Sequence, residues 1–438
     1  MRPPRICFVS LGCPKNTIDS EKALGAILSR GAALETDPSR ADWIILNTCG
    51  FISSAKRESL ETFFDLAAKR RKNSKMVLAG CLPSRYGDEL AAQVPEADLV
   101  LGVLDGDALR RLEEAIFGAA RCRLCRGFLE GPRLRIGPRH RAYLKIAEGC
   151  DNRCSYCAIP AIRGPLRSRP LGQVVEEARG LAASGVKELI VVAQDTTNYG
   201  VDLYGRRRLA DLLERLDRID GLEWIRLMYA HPAHLGDEIL KLFVGLEKLV
   251  HYIDLPLQHA ATEVLRAMGR KVTLARVEGL LDRIRGKIPD MAIRTTFMVG
   301  FPGESPRHFE TLLKFVERQK FDHAGAFVYS SEEGTGAARS PAQVPFAERR
   351  RRRKLLMQAQ QRIVLARNRA MIGRRMRVLV DAPGAGKRAP CVARSYREAP
   401  EVDSVIYLDR GLVGRFVHAR ISGARGYDLE AKTLRESS

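Results

Sequence analysis

The chain has 438 residues, with 73 Lys+Arg against 52 Asp+Glu, so its formal charge is +21 with His neutral. Hydrophobic residues at 45% and charged residues at 29% are globular values and exclude wholesale disorder. No apolar run reaches the roughly 18 residues that cross a bilayer, and the apolar stretch of MRPPRICFVSLGC is cut short by a Gly-Cys turn; this excludes a membrane span and a signal peptide, and a cytoplasmic protein is expected.

From the N-terminus, ICFVSLG (6–12), WIILNTC (43–49), MVLAGC (76–81) and LVLG (99–102) read as short buried strands. EKALGAILSRG and SAKRESLETFFDLAAKRR lie between them with the apolar spacing of amphipathic helices. Strand–helix alternation predicts a parallel α/β domain over 1–120. Residues 121–136 are Arg-, Gly- and Pro-rich without periodicity and read as a basic linker.

A second series follows: AYLKIAEGC (142–150), ELIVVAQD (188–195), EWIRLMY (223–229), HYIDLP (251–256), AIRTTFMVG (292–300) and HAGAFVYS (323–330). Six βα units are too few for the usual eight-stranded barrel and predict an open, partial (βα)6 barrel. A long helix over 346–371 completes this domain, which spans 137–371. From 372 to 438 the pattern alternates apolar and polar residues between turns, which predicts a small antiparallel β-barrel.

The charge is uneven. Arg349–Arg377 carries twelve Lys+Arg and no acid, and Arg121–Lys145 carries eight against Glu130 alone. Such blocks suit an anionic partner, most often nucleic acid; the plainer alternative is a solvated helix face.

In a reducing compartment the ten cysteines are not a disulfide framework. The sharpest cluster is EGCDNRCSYCAIP, where Cys150, Cys154 and Cys157 follow a predicted strand with three and two residues between them. Thiolates hold iron–sulfur clusters, and three in one compact loop can take three corners of a cubane, leaving one iron for a small molecule. The competing reading pairs Cys154 and Cys157 with Cys122 and Cys125 as a zinc ribbon. It leaves 28 residues between the pairs, above the roughly 15–20 of that pattern, and strands Cys150.

Cys13, Cys49 and Cys81 each end a predicted strand, in SLGC, LNTC and LAGC. In a parallel sheet these ends share one edge, so the three either converge as a second cluster or close the strands as buried residues. Weaker features lie on the second domain's strand ends. Tyr156 sits just before the last cysteine of the loop, Gln194 and Asp195 end a strand, and Gly300 and Gly303 of VGFPGE could bring backbone close to a cofactor. His231 and His259 read as core or rim residues, and GAGK (384–387) as an incomplete phosphate loop.

EGCDNRCSYCAIPAIRGPLRSRP resembles the cluster loop of the radical S-adenosylmethionine methylthiotransferases. SLGCPKNTIDSE, NTCGFI, GCLPSRY, AQDTTNYGVDLYG, DLPLQHA, RTTFMVGFPGE and YSSEEGTGAA resemble that family's motifs in its order, and the terminal segment with EAPEVDSVIYLD resembles its TRAM domain. The family's transfer-RNA class (MiaB-type) typically reads Gly-Cys-Gln-Met-Asn at the first cysteine. This chain has Gly12-Cys13-Pro14-Lys15-Asn16, and Gly50 follows Cys49 where that class usually has Ser. Both features resemble the RimO-type class, which modifies an aspartate of the twelfth small-subunit ribosomal protein.

The resemblance implies attachment of a methylthio group to the β-carbon of that aspartate, using two S-adenosylmethionine molecules and two 4Fe-4S clusters. It assigns Cys150, Cys154 and Cys157 to the radical cluster and Cys13, Cys49 and Cys81 to an auxiliary one. It also implies an external electron donor and a ribosomal protein or ribosome as partner, with the basic surface near ribosomal RNA. The alternatives are the same chemistry on a transfer-RNA adenosine, and, from another class, a non-catalytic zinc-containing RNA-binding protein.

Overall fold

The computed structural model describes residues 2–118, 133–386 and 389–435; Cys122, Cys125 and Lys387 lie outside them. The first unit is a five-stranded parallel sheet in the order Ala33–Leu34, Arg5–Ser10, Trp43–Thr48, Lys75–Gly80, Leu99–Val100. Its strands are apolar on both faces. Ile6, Ile45 and Val77 pack into one layer, and Cys7, Ile44, Leu46, Met76 and Leu78 into the other.

The first helix runs Pro14–Ser29 and begins seven residues earlier than its apolar periodicity alone suggests. Cys13 is its N-cap and Pro14 its first helical residue, where a missing N–H costs nothing. The helix Cys81–Gln93 starts as abruptly, behind Gly80 at φ +100. A Cβ at Gly80 would lie 2.3 Å from Asn47 Oδ1 and 2.6 Å from the Thr48 carbonyl, so only glycine lets the two strand ends approach.

The second unit is a six-stranded parallel sheet with its strands in chain order: Arg141–Lys145, Glu188–Val192, Trp224–Leu227, Leu249–Asp254, Ala292–Val299 and His323–Val328. Its helices cover the outer face through one large apolar core, to which Leu144, Val191, Leu227, Ile253 and Phe297 contribute from the strands. The predicted long helix spans Phe346–Met371 and packs Leu356, Ala359 and Val364 inward.

The concave inner face has its own lining. Ile190, Val192, Trp224, Met228, Val250, Tyr252 and Ala292 meet Leu379 and Ala399 from the C-terminal unit and Ile18 from the first helix. The C-terminal unit is a closed five-stranded barrel. All its pairs are antiparallel save one: Ile406–Leu408 runs parallel to Asp428–Thr433. The last strand inserts between Ile406–Leu408 and Phe416–Arg425, antiparallel to the latter and parallel to the former. Alternation in the sequence reports strands but not their polarity.

Charge seats the small barrel on the sheet. Glu188 is fully buried between Arg226 (2.7 Å) and Arg394 (2.6 Å). Asp403 accepts from Tyr252 (2.7 Å) and Arg294 (3.1 Å). Single buried pairs of this kind add little stability over apolar contacts, but leaving one member unpaired is costly.

Candidate active site

The Cys150–Cys157 loop follows the first strand of the six-stranded sheet. Gly149 (φ +72) makes the turn, and a Cβ there would lie 2.0 Å from the Pro165 carbonyl oxygen, so no other residue fits. The Cys150 amide donates to the Gly164 carbonyl (3.2 Å), the Ser155 amide to Met268 (3.0 Å), and the Ala337 amide to the Ser155 carbonyl (2.8 Å). All three thiols are free and partly exposed. Burial pushes Cys150 upward, although the Asn152 amide works the other way. Burial lifts Cys157 to about 12, and the neighbouring Cys154 and Cys150 add to the shift.

The second trio converges as its strand-end positions suggest. A Cβ at Gly12 would touch Cys49 Cβ at 3.0 Å and Sγ at 3.4 Å. Cys81 is raised to about 11 by burial, with Cys13 and Cys49 close enough to contribute. Cys49 is raised by burial and by Cys13. Cys13 goes the other way: burial opposes ionisation, but the charges of Lys15 and Arg163 and the first-turn amides of Asn16 and Lys15 hold it below an ordinary thiol. Six free thiols in two groups of three, with no disulfide among the described residues, are a donor set suited to iron–sulfur chemistry.

The two trios are neighbours. Cys81 packs with Ala158 and Ile162, on the turn and short helix that follow Cys157. Arg163, at the end of that helix, donates to Asp19 (3.1 Å), to Glu148 (2.7 Å) and to Asn16 Oδ1. Lys145 bonds the same Asp19 and reaches Glu148 at 2.7 Å. Asn16 Nδ2 in turn ties the Leu11 (2.9 Å) and Thr48 (2.8 Å) carbonyls, and Cys81 Sγ lies 3.5 Å from its Oδ1. A buried lattice of two cations and two carboxylates thus locks the first unit's strand ends to the second unit's loop. Sequence reasoning missed it. The available signal was the charged PKNTIDSE directly behind Cys13, which is too polar for a helix start with most of its residues buried.

The other predicted residues fall as follows. Asp195 accepts from Asn152 Nδ2 (2.7 Å), whose amides both point at Cys150 Sγ (3.4 Å each), and from His234 Nδ1 (2.9 Å). Gln194 Nε2 donates to Glu148 (2.7 Å), and its buried Oε1 has no partner. Tyr156 is held by Arg270 (3.3 Å). Gly300 and Gly303 lie apart from these, and the Gly300 amide is already bonded to Glu304 (2.5 Å) within its own turn. His231 stacks on His234 with centroids 4.7 Å apart. Burial, aided by Arg270, pushes His231 down to about 3, and burial does the same to the fully buried His259, so both are neutral at pH 7.

A cleft of about 1620 Å³ opens between the units. Tyr156, Gln258 and Met298 form its floor, Phe51–Arg57 one wall, and the basic helix the other. Glu332, in the loop after the strand His323–Val328, ties the six-stranded sheet to the first unit: it accepts from the Ser53 amide (2.9 Å), Lys56 (3.0 Å) and Arg85 (2.8 Å). Among the described residues, Arg57, Arg350 and Lys354 line the cleft without an ion-pair partner, and Phe327, Phe346 and Tyr427 are exposed in it.

Comparison with known proteins matches three family models: the uncharacterized protein family UPF0004 over residues 5–102, the radical SAM superfamily over 144–316 and the TRAM domain over 372–434. A ribosomal protein uS12 methylthiotransferase RimO of Desulforamulus reducens is 44% identical over 437 residues, covering 97% of this chain and 98% of its own. Its namesake in Acetivibrio thermocellus is 40% identical, covering 99% of each chain. The radical S-adenosylmethionine methyltransferase TsrM from Kitasatospora setae, solved with cobalamin and a [4Fe-4S] cluster, shares the fold with a TM-score of 0.55 at 16% identity over 77% of each chain.

Proposed function

The chain belongs to the RimO-type radical S-adenosylmethionine methylthiotransferases, and on that premise we propose how its residues serve that chemistry. It is a ribosomal protein uS12 methylthiotransferase that uses S-adenosylmethionine and 4Fe-4S clusters. The modified position is the β-carbon of an aspartate. Cys150, Cys154 and Cys157 hold the radical cluster, and Cys13, Cys49 and Cys81 hold the auxiliary one. The observation that carries this reading is the adjacency of two all-thiol trios through Cys81, Ala158 and Ile162.

When bound, the radical cluster and S-adenosylmethionine supply the hydrogen-abstracting chemistry that no side-chain base provides at an unactivated carbon. The chain's own residues do the rest. Asn152 orients Cys150 and is itself held by Asp195. Tyr156, fixed by Arg270, forms the cleft floor beside Cys157 and is our candidate cofactor contact there. Gln194 and Asp195 offer polar contacts on the same rim; Gly300 and Gly303, whose amides are committed to Glu304 and to the Ala342 carbonyl, would offer only close approach of backbone further out. The Glu332 bridge and the Arg163 lattice hold the first unit over the sheet's strand ends, which keeps water from the reacting carbon.

We place the domain limits at 1–120, 137–371 and 372–438, with a basic linker over 121–136. The TRAM domain suggests RNA binding. Among the described residues, three cations without ion-pair partners share the cleft lining with exposed aromatic rings, a combination that suits a single-stranded phosphodiester chain. We therefore infer that ribosomal RNA next to uS12 is touched there. No described helix is long and apolar enough to cross a membrane, and a ribosomal substrate puts the enzyme in the cytoplasm.

The deciding experiment incubates anaerobically reconstituted enzyme with small ribosomal subunits, free uS12 and transfer RNA. A methylthio mass gain on uS12 is expected; a gain on transfer RNA alone refutes the reading.

A further inference from the structure

Among the described residues, the cations buried at the junction of the first two units have carboxylate partners, with one exception. Lys22 pairs with Glu177, Lys145 and Arg163 pair with Asp19 and Glu148, and Arg85 pairs with Glu332. Lys15 is the exception. It is 8% exposed, yet no described carboxylate forms an ion pair with it. Asp19, one helical turn further on, is already committed to Lys145 and Arg163. Instead Nζ lies 3.4 Å from the centroid of the Tyr229 ring.

Tyr229 belongs to the other unit. It follows the strand Trp224–Leu227, at the same sheet end as the Cys150 loop, and its carbonyl accepts from the Thr196 amide beside Asp195 (3.1 Å). Its backbone sits at φ +58, a left-handed conformation unfavourable for a bulky residue and held by a bond from its amide to Asp254 (3.1 Å). The Lys15 side chain therefore starts two residues from Cys13 and ends over the mouth of the partial barrel.

The buried ammonium has the Tyr229 phenol and the Cys13 sulfur as neighbours but no described carboxylate, so its desolvation is only partly offset. A carboxylate arriving at this point would complete it. The established activity brings a protein substrate to this mouth, and the site of modification proposed above is a carbon bonded to a carboxylate. We propose that Lys15 is the substrate's carboxylate anchor: it binds the side chain of the target aspartate and so holds its β-carbon between the two cysteine trios. Lys15 is thereby the residue that selects an acidic side chain. This inference rests on the aspartate reading above. It also gives a physical meaning to a sequence difference, because the transfer-RNA class typically has neutral Met at this position.

The test uses reconstituted enzyme and fluorescent peptides spanning the modified position of uS12, with Asp or with Asn there. Wild-type enzyme is expected to bind the Asp peptide about 10- to 100-fold more tightly, the range for a hydrogen bond between charged partners. Lys15→Met should bind both peptides alike, and Lys15→Arg should restore the preference. A general loss of structure would weaken both peptides together and would not erase their ratio alone. Equal affinity of the wild-type enzyme for the two peptides overturns the proposal even if Lys15→Met proves unstable. So does an unchanged ratio in Lys15→Met. Failure of the underlying reading has a different signature: no methylthio mass gain on the Asp peptide or on uS12 from any enzyme form.

Discussion

Arg163→Met tests the lattice that joins the two trios. The guanidinium is 2% exposed and serves Asp19, Glu148 and Asn16. Methionine fills similar space but leaves two buried carboxylates to share Lys145 alone. Burial works against ionisation of Glu148, and Lys145 and Arg163 hold its carboxyl far below the usual range, so removing one cation strands charge where water cannot reach. Breaking a buried pair from one side costs about 3–5 kcal/mol. For a chain of this size that is a melting shift of roughly 3–5 °C. The assay is thermal unfolding of the reconstituted enzyme at a fixed scan rate, with Arg179→Ala as control. Arg179 and its partner Glu176 are 63% and 76% exposed, and such a pair contributes about 0–1 kcal/mol. Arg163→Lys keeps the charge and should recover most of the loss. If Arg163→Met melts together with the Arg179→Ala control, the lattice does not hold the units.

Acid should loosen the same junction. Glu177 is bonded to Lys22, Arg133 and Arg169; burial raises its pKa, but these cations outweigh it and bring the carboxyl to about 2. A depressed pKa contributes stability above the unfolded value near 4.5, lost as pH falls towards 2, and the difference amounts to about 3 kcal/mol. Glu177→Gln should flatten the acid limb of a melting-versus-pH curve, and an unaltered limb would count against this. Gly149→Ala drives a Cβ into the Pro165 carbonyl and should cost one cluster, so iron per chain should fall from about eight to about four. Cys49→Ala should still cleave S-adenosylmethionine reductively but give no methylthiolated product; full product would remove Cys49 from the auxiliary set.

The strands were legible because parallel strands covered on both faces are nearly continuous apolar runs, as in WIILNTC and ELIVVAQD. The first trio was legible from spacing, and the second from strand ends that share one sheet edge. The start of the first helix was not, because Pro14 and the polar residues behind it look like a turn until the second unit covers them. Asp19 is 126 residues or more from Lys145 and Arg163, and nothing local announces that their charges meet. Gly300 illustrates the opposite gap: a strand-end glycine suggests an open backbone, but Glu304 four residues later already takes its amide.

The way the C-terminal barrel is seated has a consequence for how this enzyme can be dissected. Six strands do not close, and Leu379 and Ala399 enter the hollow they leave while Arg394 neutralises Glu188 inside it. The small barrel is a cork rather than a tail. A truncation at residue 371 would bare Trp224, Tyr252 and an orphaned glutamate to solvent, so no soluble catalytic fragment should be obtainable, and exchanging this module for one that reads another substrate would require the stopper to be kept along with the reader.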